Sequence, residues 1–158
     1  MKIIKDPVHG YVEVEDFALA LLDSSPLQRL RYVRQLGFSY LVYPGANHTR
    51  FEHSLGTMFL ADIACRRFGL SDNERMLVVA AGLLHDVGHG PFSHASEPLM
   101  EMFLGRSHDD IGPIVEEEAA GILGTWGIDP AELCAVVQGR HPLSGIIHGD
   151  LDVDRMDY

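Results

Sequence analysis

Basic residues are scarce in this chain: 12 Lys and Arg face 23 Asp and Glu, a formal charge of −11 over 158 residues. A protein that grips nucleic acid without sequence preference presents a basic face to the phosphates. Docking on an anionic membrane needs the same sign, so neither is expected as a general role. Long apolar runs are absent too. The longest, Met76 to Leu84, is far below the ~20 residues of a membrane span. Met1-Lys2-Ile3-Ile4-Lys5-Asp6 places charges where a signal peptide needs an apolar stretch. Cysteine is nearly missing, and Cys65 and Cys134 lie far apart with no C-x-x-C pairing. That pattern predicts two reduced thiols in a cytoplasmic protein, not a disulfide or a thiolate metal site.

What the chain does have is histidine, nine in all. Histidine is the commonest metal ligand and a frequent general base, so position matters more than number. Charge is also unevenly spread. No acidic residue falls between Ser24 and Phe51, a stretch holding Arg29, Arg31, Arg34 and Arg50, whereas Ser107 to Tyr158 carries eleven acids against Arg140 and Arg155. The first stretch could meet an anionic ligand or pair with carboxylates elsewhere. The second could hold a cation or remain a solvated face.

The length is that of one domain, and the patterning is mainly helical. Residues 3–15 alternate around His9-Gly10 and predict a short β-ribbon. Ser25-Pro26-Leu27-Gln28 reads as an N-cap with proline at the first helical position. Thr49-Arg50-Phe51-Glu52 and Ser71-Asp72-Asn73-Glu74 fit the capping box, and Asp129-Pro130 opens another helix. Helices are expected at about 50–68, 72–87, 92–104 and 108–123.

Three local clusters carry the chemistry: His48 to His53, His85-Asp86-Val87-Gly88-His89-Gly90, and Asp152-Val153-Asp154-Arg155. A divalent cation takes imidazole nitrogen and carboxylate oxygen together. His85-Asp86 closes the apolar run, and a carboxylate there needs a strong partner; a metal is one and an arginine another. Other signatures fail. The Asp150-x-Asp152-x-Asp154 run lacks the glycine and terminal glutamate of a calcium loop, and there is no H-E-x-x-H, phosphate-binding loop or nucleophile elbow.

A longer ordered series is also present: Asp6-Pro7-Val8-His9-Gly10, Gln28-Arg29-Leu30-Arg31, Gln35-Leu36-Gly37, Tyr43-Pro44-Gly45-Ala46, Arg50-Phe51-Glu52-His53-Ser54-Leu55-Gly56, Gly82-Leu83-Leu84-His85-Asp86-Val87-Gly88-His89-Gly90-Pro91-Phe92-Ser93-His94 and Asp152-Val153-Asp154-Arg155-Met156-Asp157-Tyr158. It resembles the HD-domain superfamily of metal-dependent phosphohydrolases. More narrowly it resembles the deoxynucleoside triphosphate (dNTP) triphosphohydrolase branch, which includes the dGTPases and the SAM-and-HD-domain dNTPase.

The resemblance implies an all-α HD-domain helical bundle with a short N-terminal β-ribbon. It implies one divalent metal ion (Mn, Fe, Zn, Mg or Ni) on His53, His85, Asp86 and Asp154. His89, His94 and His108 would line the phosphate pocket, with His94 the acid–base candidate paired to Glu97. Gln35 and Leu36 would read the deoxyribose, Arg50 and Arg155 would meet the substrate, and Tyr158 would pack by the sugar. His9, His48, His141 and His148 read as turn or surface residues. The implied reaction is dNTP plus water giving deoxynucleoside plus triphosphate, in a protein with room for a homo-oligomer. Alternatives are a broader HD phosphomonoesterase or phosphodiesterase, or a non-catalytic metal- and nucleotide-binding sensor. Members of the branch continue well beyond the Asp-x-x-x-Tyr segment, so residues 1–158 are expected to be a single HD domain, minimal or truncated at its C-terminus.

Overall fold

In the computed structural model, which describes residues 1–157, the chain opens with two antiparallel strands, β1 (Lys2–Asp6) and β2 (Gly10–Val14). Their register runs from Lys2 opposite Val14 to Asp6 opposite Gly10. The Asp6 carboxylate closes the turn by accepting from the backbone N–H of Val8 and His9 at 2.9 and 2.7 Å. The alternation works as a pleat dictates: Val12 and Val14 point into the core while Tyr11 and Glu13 face out.

Helices follow: α1 (Asp16–Leu22), α2 (Ser25–Arg29), α3 (Arg50–Phe68), α4 (Asp72–Leu84), α5 (Glu97–Leu104), α6 (Gly112–Ile114), α7 (Ala120–Thr125), α8 (Pro130–Val137) and α9 (Val153–Asp157). The expected all-α bundle with an N-terminal ribbon is the architecture found. The long pair α3 and α4 forms its centre, with α9 laid against α3 and α8 against α4. Both capping boxes are present: Thr49 accepts from the Glu52 N–H, Ser71 from the Glu74 N–H, and each glutamate reaches back. Leu77 to Leu84 on α4 are all buried. The helix that carries His85 to its place is therefore clamped on every side.

Several boundaries differ from the expected ones, and proline explains two of them. Ser25 is the first helical residue and Ser24 the cap, which puts Pro26 at the second position. The expected 92–104 helix is a 3₁₀ turn (Ser93–Ser96) followed by α5, because Pro98 fits only in a first turn. The expected 108–123 helix starts at Gly112 for the same reason, with Pro113 in its first turn, and passes through a π turn at Val115–Ala119 before α7. The ladder of α4 ends at His85, short of residue 87, and gives way to a turn in which the Val87 N–H bonds to the Leu84 carbonyl. Residues 33–49, where no helix is expected, loop out and return: Gln35 N–H reaches His48 O, and Arg50 N–H reaches Val33 O. Both cysteines are free thiols. No helix among the described residues is long and apolar enough to cross a membrane.

Candidate functional site

Three chain segments bring the first cluster together. His53 stands on the first turn of α3, His85 and Asp86 at the end of α4, and Asp154 on the first turn of α9. His53 Nε2 lies 2.8 Å from Asp154 Oδ1 and 3.9 Å from Asp86 Oδ2. His85 Nε2 lies 3.5 Å from Asp86 Oδ1 and 3.7 Å from Asp154 Oδ1. His53, His85 and Asp86 are buried, whereas the Asp154 side chain is 40% exposed, so the cluster opens on its Asp154 side.

Whether a divalent cation suits these residues can be asked of the atoms themselves. His85 Nδ1 donates to the Gly82 carbonyl at 2.8 Å, which leaves Nε2 as the atom facing the carboxylates. That Nε2 is buried and has no hydrogen-bond partner. An unpartnered buried imidazole nitrogen between two carboxylates is costly unless a cation joins them. Donor atoms of His53, His85 and Asp86 converge within 4.8 Å of one another. The mixed N/O set is the kind that binds Zn, Mn or Fe. The residues fit a divalent metal.

The electrostatics agree. Burial alone would lower the His53 imidazole, yet hydrogen bonds to Asp154 and Asp157 outweigh it and push its pKa up to about 9. His85 shifts upward as well, because Asp86 and Asp154 more than offset its burial. Burial would raise Asp86, but His85 and the Arg50 guanidinium hold it down at about 2. Each basic group here gains from positive charge and each carboxylate from negative, as at a cation site.

On the far side of Asp86 lies a second cluster. His89 Nε2 is 3.4 Å from Asp86 Oδ1. Its ring stacks on His108, with centroids 4.1 Å apart, and meets His94 edge-on at 5.0 Å. Gly88 makes this approach possible, since a Cβ there would stand 2.0 Å from the His108 carbonyl oxygen. Glu97 joins the cluster from α5: Oε2 lies 3.2 Å from His94 Nδ1 and Oε1 accepts from His108 Nδ1. By distance this histidine trio could also hold a metal. Unlike the first cluster with its His85 Nε2, though, the trio has no buried nitrogen left without a partner, and both His108 nitrogens meet carboxylates, Glu97 and Asp109, the latter at 3.1 Å. Asp109 first, then Glu97, push His108 up to about 9 against its partial burial. It is therefore a cation with two N–H donors. Burial, in contrast, drives His89 down to about 3 and keeps it neutral.

Arg50 joins the two clusters. Its guanidinium is buried, donating to Asp86 Oδ2 at 2.6 Å and to Ser93 Oγ at 2.9 Å. Of the two partners expected for the Asp86 carboxylate, a metal and an arginine, the arginine is in place on Oδ2, and Oδ1 is left as the oxygen nearer His85 and His89. Ser93 Oγ in turn donates to the Arg34 carbonyl at 2.7 Å. Phe92 and Ser93 hold positive φ values of 67° and 52°, a strained geometry for non-glycine residues that the surrounding contacts sustain. The other early arginines do not pair with carboxylates among the described residues. Arg29 donates to the Val87 carbonyl, Arg31 lies over Phe51, and Arg34 lies over Tyr40.

A cleft of about 580 Å³ runs between the clusters, lined by Arg50, His85, Asp86, His89, His94, His108, Asp154 and Arg155. It shares Gln35, Arg50 and His94 with a depression of about 350 Å³ that includes Leu36 and the stacked pair Phe38 and Phe92. The anticipated residues thus line these two adjoining depressions, except His53 and Glu97, which stand behind the lining, and Tyr158, which lies outside the described residues. His94 stands at the mouth of the cleft, 68% exposed. Another cavity, about 410 Å³ beside the ribbon, has its Arg66 and Arg75 already paired with Glu15 and Asp62.

Some residues at the site were given no role in the sequence reading. Asp109 and His148 line the cleft. Asp152 is a buried cap for α9, accepting from the N–H of Gly149 and Arg155. Asp157 hydrogen-bonds to His53 and to His9, so His9 is a turn residue whose ring faces inward. The three-residue step from Asp154 to Asp157 on one helix face is a signal that could have located the latter.

Comparisons with known proteins place the chain among relatives. The HD domain family matches residues 50–158. An uncharacterized protein of Methanocaldococcus jannaschii is 40% identical over 158 residues, all of this chain and 32% of its own. Human deoxynucleoside triphosphate triphosphohydrolase SAMHD1 is 46% identical over 113 residues, 67% of this chain and 17% of its own. A crystal structure of a hypothetical protein from Aquifex aeolicus superposes with a TM-score of 0.85 at 42% identity, covering 99% of this chain and 44% of that one. The chain thus spans less than half the length of each of these relatives. With that match running from the start of α3 to the end of the chain, the chain belongs to the HD domain family.

Proposed function

We propose that this chain is the metal-dependent phosphohydrolase unit of a protein that acts on nucleotides, with dNTPs as the substrate class and deoxynucleoside plus triphosphate as products. The observation that carries the reading is the juxtaposition, across Asp86, of a cation-seeking cluster and a cationic histidine–arginine cluster within one groove. A triphosphate needs both: a cation on its oxygens and N–H donors for the remaining charge. The similarity to a triphosphohydrolase over two-thirds of the chain supports the substrate class.

His53, His85, Asp86 and Asp154 would hold the ion. When bound, a divalent ion supplies Lewis-acid polarisation of a phosphoryl oxygen. The chain's own residues do the rest. Arg50, fixed by Asp86 and Ser93, and protonated His108 offset the phosphate charge from the groove wall. His94, oriented through Nδ1 by Glu97, presents Nε2 at the groove mouth. From there the doubly protonated ring gives its Nε2 proton to the 5′ oxygen as the bond between that oxygen and the α-phosphorus breaks and a water oxygen bonds to phosphorus, the water's own proton passing to solvent to leave triphosphate. Glu97 keeps the Nδ1 proton in place, so that the Nε2 proton is the one given up. Gln35, whose buried Oε1 has no partner, and Leu36 would meet the sugar. Arg155, beside Asp154, would meet the phosphate tail.

Product analysis with dATP or dGTP and Mn²⁺ is the test. Release of inorganic tripolyphosphate supports the reading. Release of phosphate or pyrophosphate shifts it to a broader HD phosphatase or diesterase. Binding of metal and dNTP without turnover makes the chain a sensor.

A further inference from the structure

The N-terminal ribbon and the last described helix meet the site through one carboxylate. Asp157 lies one turn beyond Asp154 on the same face of α9. Its Oδ2 accepts from His53 Nδ1 at 2.8 Å and its Oδ1 from His9 Nε2 at 2.5 Å. Asp157 is 6% exposed at its side chain and His53 3%. Gly56, one turn along α3 from His53, leaves the space this needs: a Cβ there would stand 1.8 Å from Asp157 Oδ1. His9 is held in turn, with its ring against Phe59 of α3, centroids 5.2 Å apart. A carboxylate so deeply buried requires a donor on each oxygen, and each has one.

The arrangement has a directional consequence for His53. With the Nδ1 proton committed to Asp157, Nε2 is the nitrogen left to face Asp86 and Asp154. A carboxylate on the far nitrogen fixes the ring of a ligating histidine and raises the basicity of its ligating atom.

We propose that Asp157, locked by His9 and admitted by Gly56, is a positioning residue that aims His53 at the metal, making the turn of the N-terminal ribbon a part of the metal centre. This rests on the reading that His53 holds a metal. Its test is Co²⁺ affinity of the purified protein, by chelator competition, together with the visible bands of bound Co²⁺. Asp157→Asn should weaken Co²⁺ about 10–100-fold and shift the bands. Gly56→Ala should reproduce the loss, although it leaves every metal-facing side chain in place. His9→Ala should give a smaller loss that His9→Gln, which restores an N–H donor, recovers. If Gly56→Ala does not fold, the isosteric Asp157→Asn and the His9 pair carry the test alone. Affinity within twofold of wild type in Asp157→Asn, beside a large loss in His53→Ala, overturns the positioning role and leaves the metal reading intact. Unchanged affinity in His53→Ala overturns both.

Discussion

Two histidine clusters flank Asp86, alike in residue type and opposite in character. On one side His53 and His85 face Asp86 and Asp154 with a buried nitrogen left unpartnered. On the other, His89, His94 and His108 face Glu97 and the edge of the groove, with His108 already charged between two carboxylates. The first side leaves the buried Nε2 of His85 without a partner between two carboxylates, which calls for a cation; the second sets His108 and Arg50 on the groove wall, which suits an anion. Arg50 sits on the boundary and lets a single aspartate serve both sides.

Substitution at the first cluster should separate the two sides most sharply. Asp86→Asn and His85→Ala should lose bound metal in elemental analysis and, with it, all turnover. Equal metal content in the wild type and both variants would collapse the distinction. Asp86→Asn should also unfold at lower temperature, since a buried Arg50 left without its partner costs about 3–5 kcal/mol. On the second side, His94→Ala or Glu97→Gln should lower kcat by about 10²–10⁴-fold while metal content stays at the wild-type level. Loss of metal in either would merge the clusters into one site.

A smaller effect concerns pH. The folded state holds the His108 pKa at about 9, through Asp109 and Glu97, above its ordinary 6.5. A raised pKa means that the stabilisation is fully present below pH 6.5 and lost as pH climbs through about 9. Thermal melts of wild type and His108→Gln should therefore differ most near pH 6 and converge by pH 10. Binding of tripolyphosphate should weaken over the same interval in the wild type and stay flat in the variant. The smallest expected change contrasts a cap beside the site with one remote from it. Thr49→Ala and Ser71→Ala should each cost about 1 kcal/mol in urea unfolding. Only the first, four residues before His53, should also weaken metal affinity.

How legible the protein was varies along the chain. The ribbon, α3, α4 and α8 follow from alternation and capping, because those signals act within a few residues and the structure has no reason to override them. The helices expected at 92–104 and 108–123 are instead a series of short turns and helices. There Pro98 and Pro113 move the helix starts, and His108 packs against Gly88 through a contact across twenty residues. The alternative that the arginines at 29–34 pair with carboxylates does not hold among the described residues: within the protein they meet a carbonyl and aromatic rings, partners that a charge count does not register.

By itself the sequence determined which residues can do chemistry here: histidines and aspartates placed at helix starts and ends by caps, with few basic residues elsewhere to compete for the acids. Only the tertiary structure decided how they divide the work. It set the α4 end between α3 and α9, turned Arg50 onto Asp86, and left His85 Nε2 without a partner. It also drew His9 of the ribbon and Asp157 of the last helix onto one imidazole. The physical reason is one of range. Capping and periodicity are decided over three or four residues, whereas burial and the pairing of charges are settled by whichever distant segment the core brings alongside.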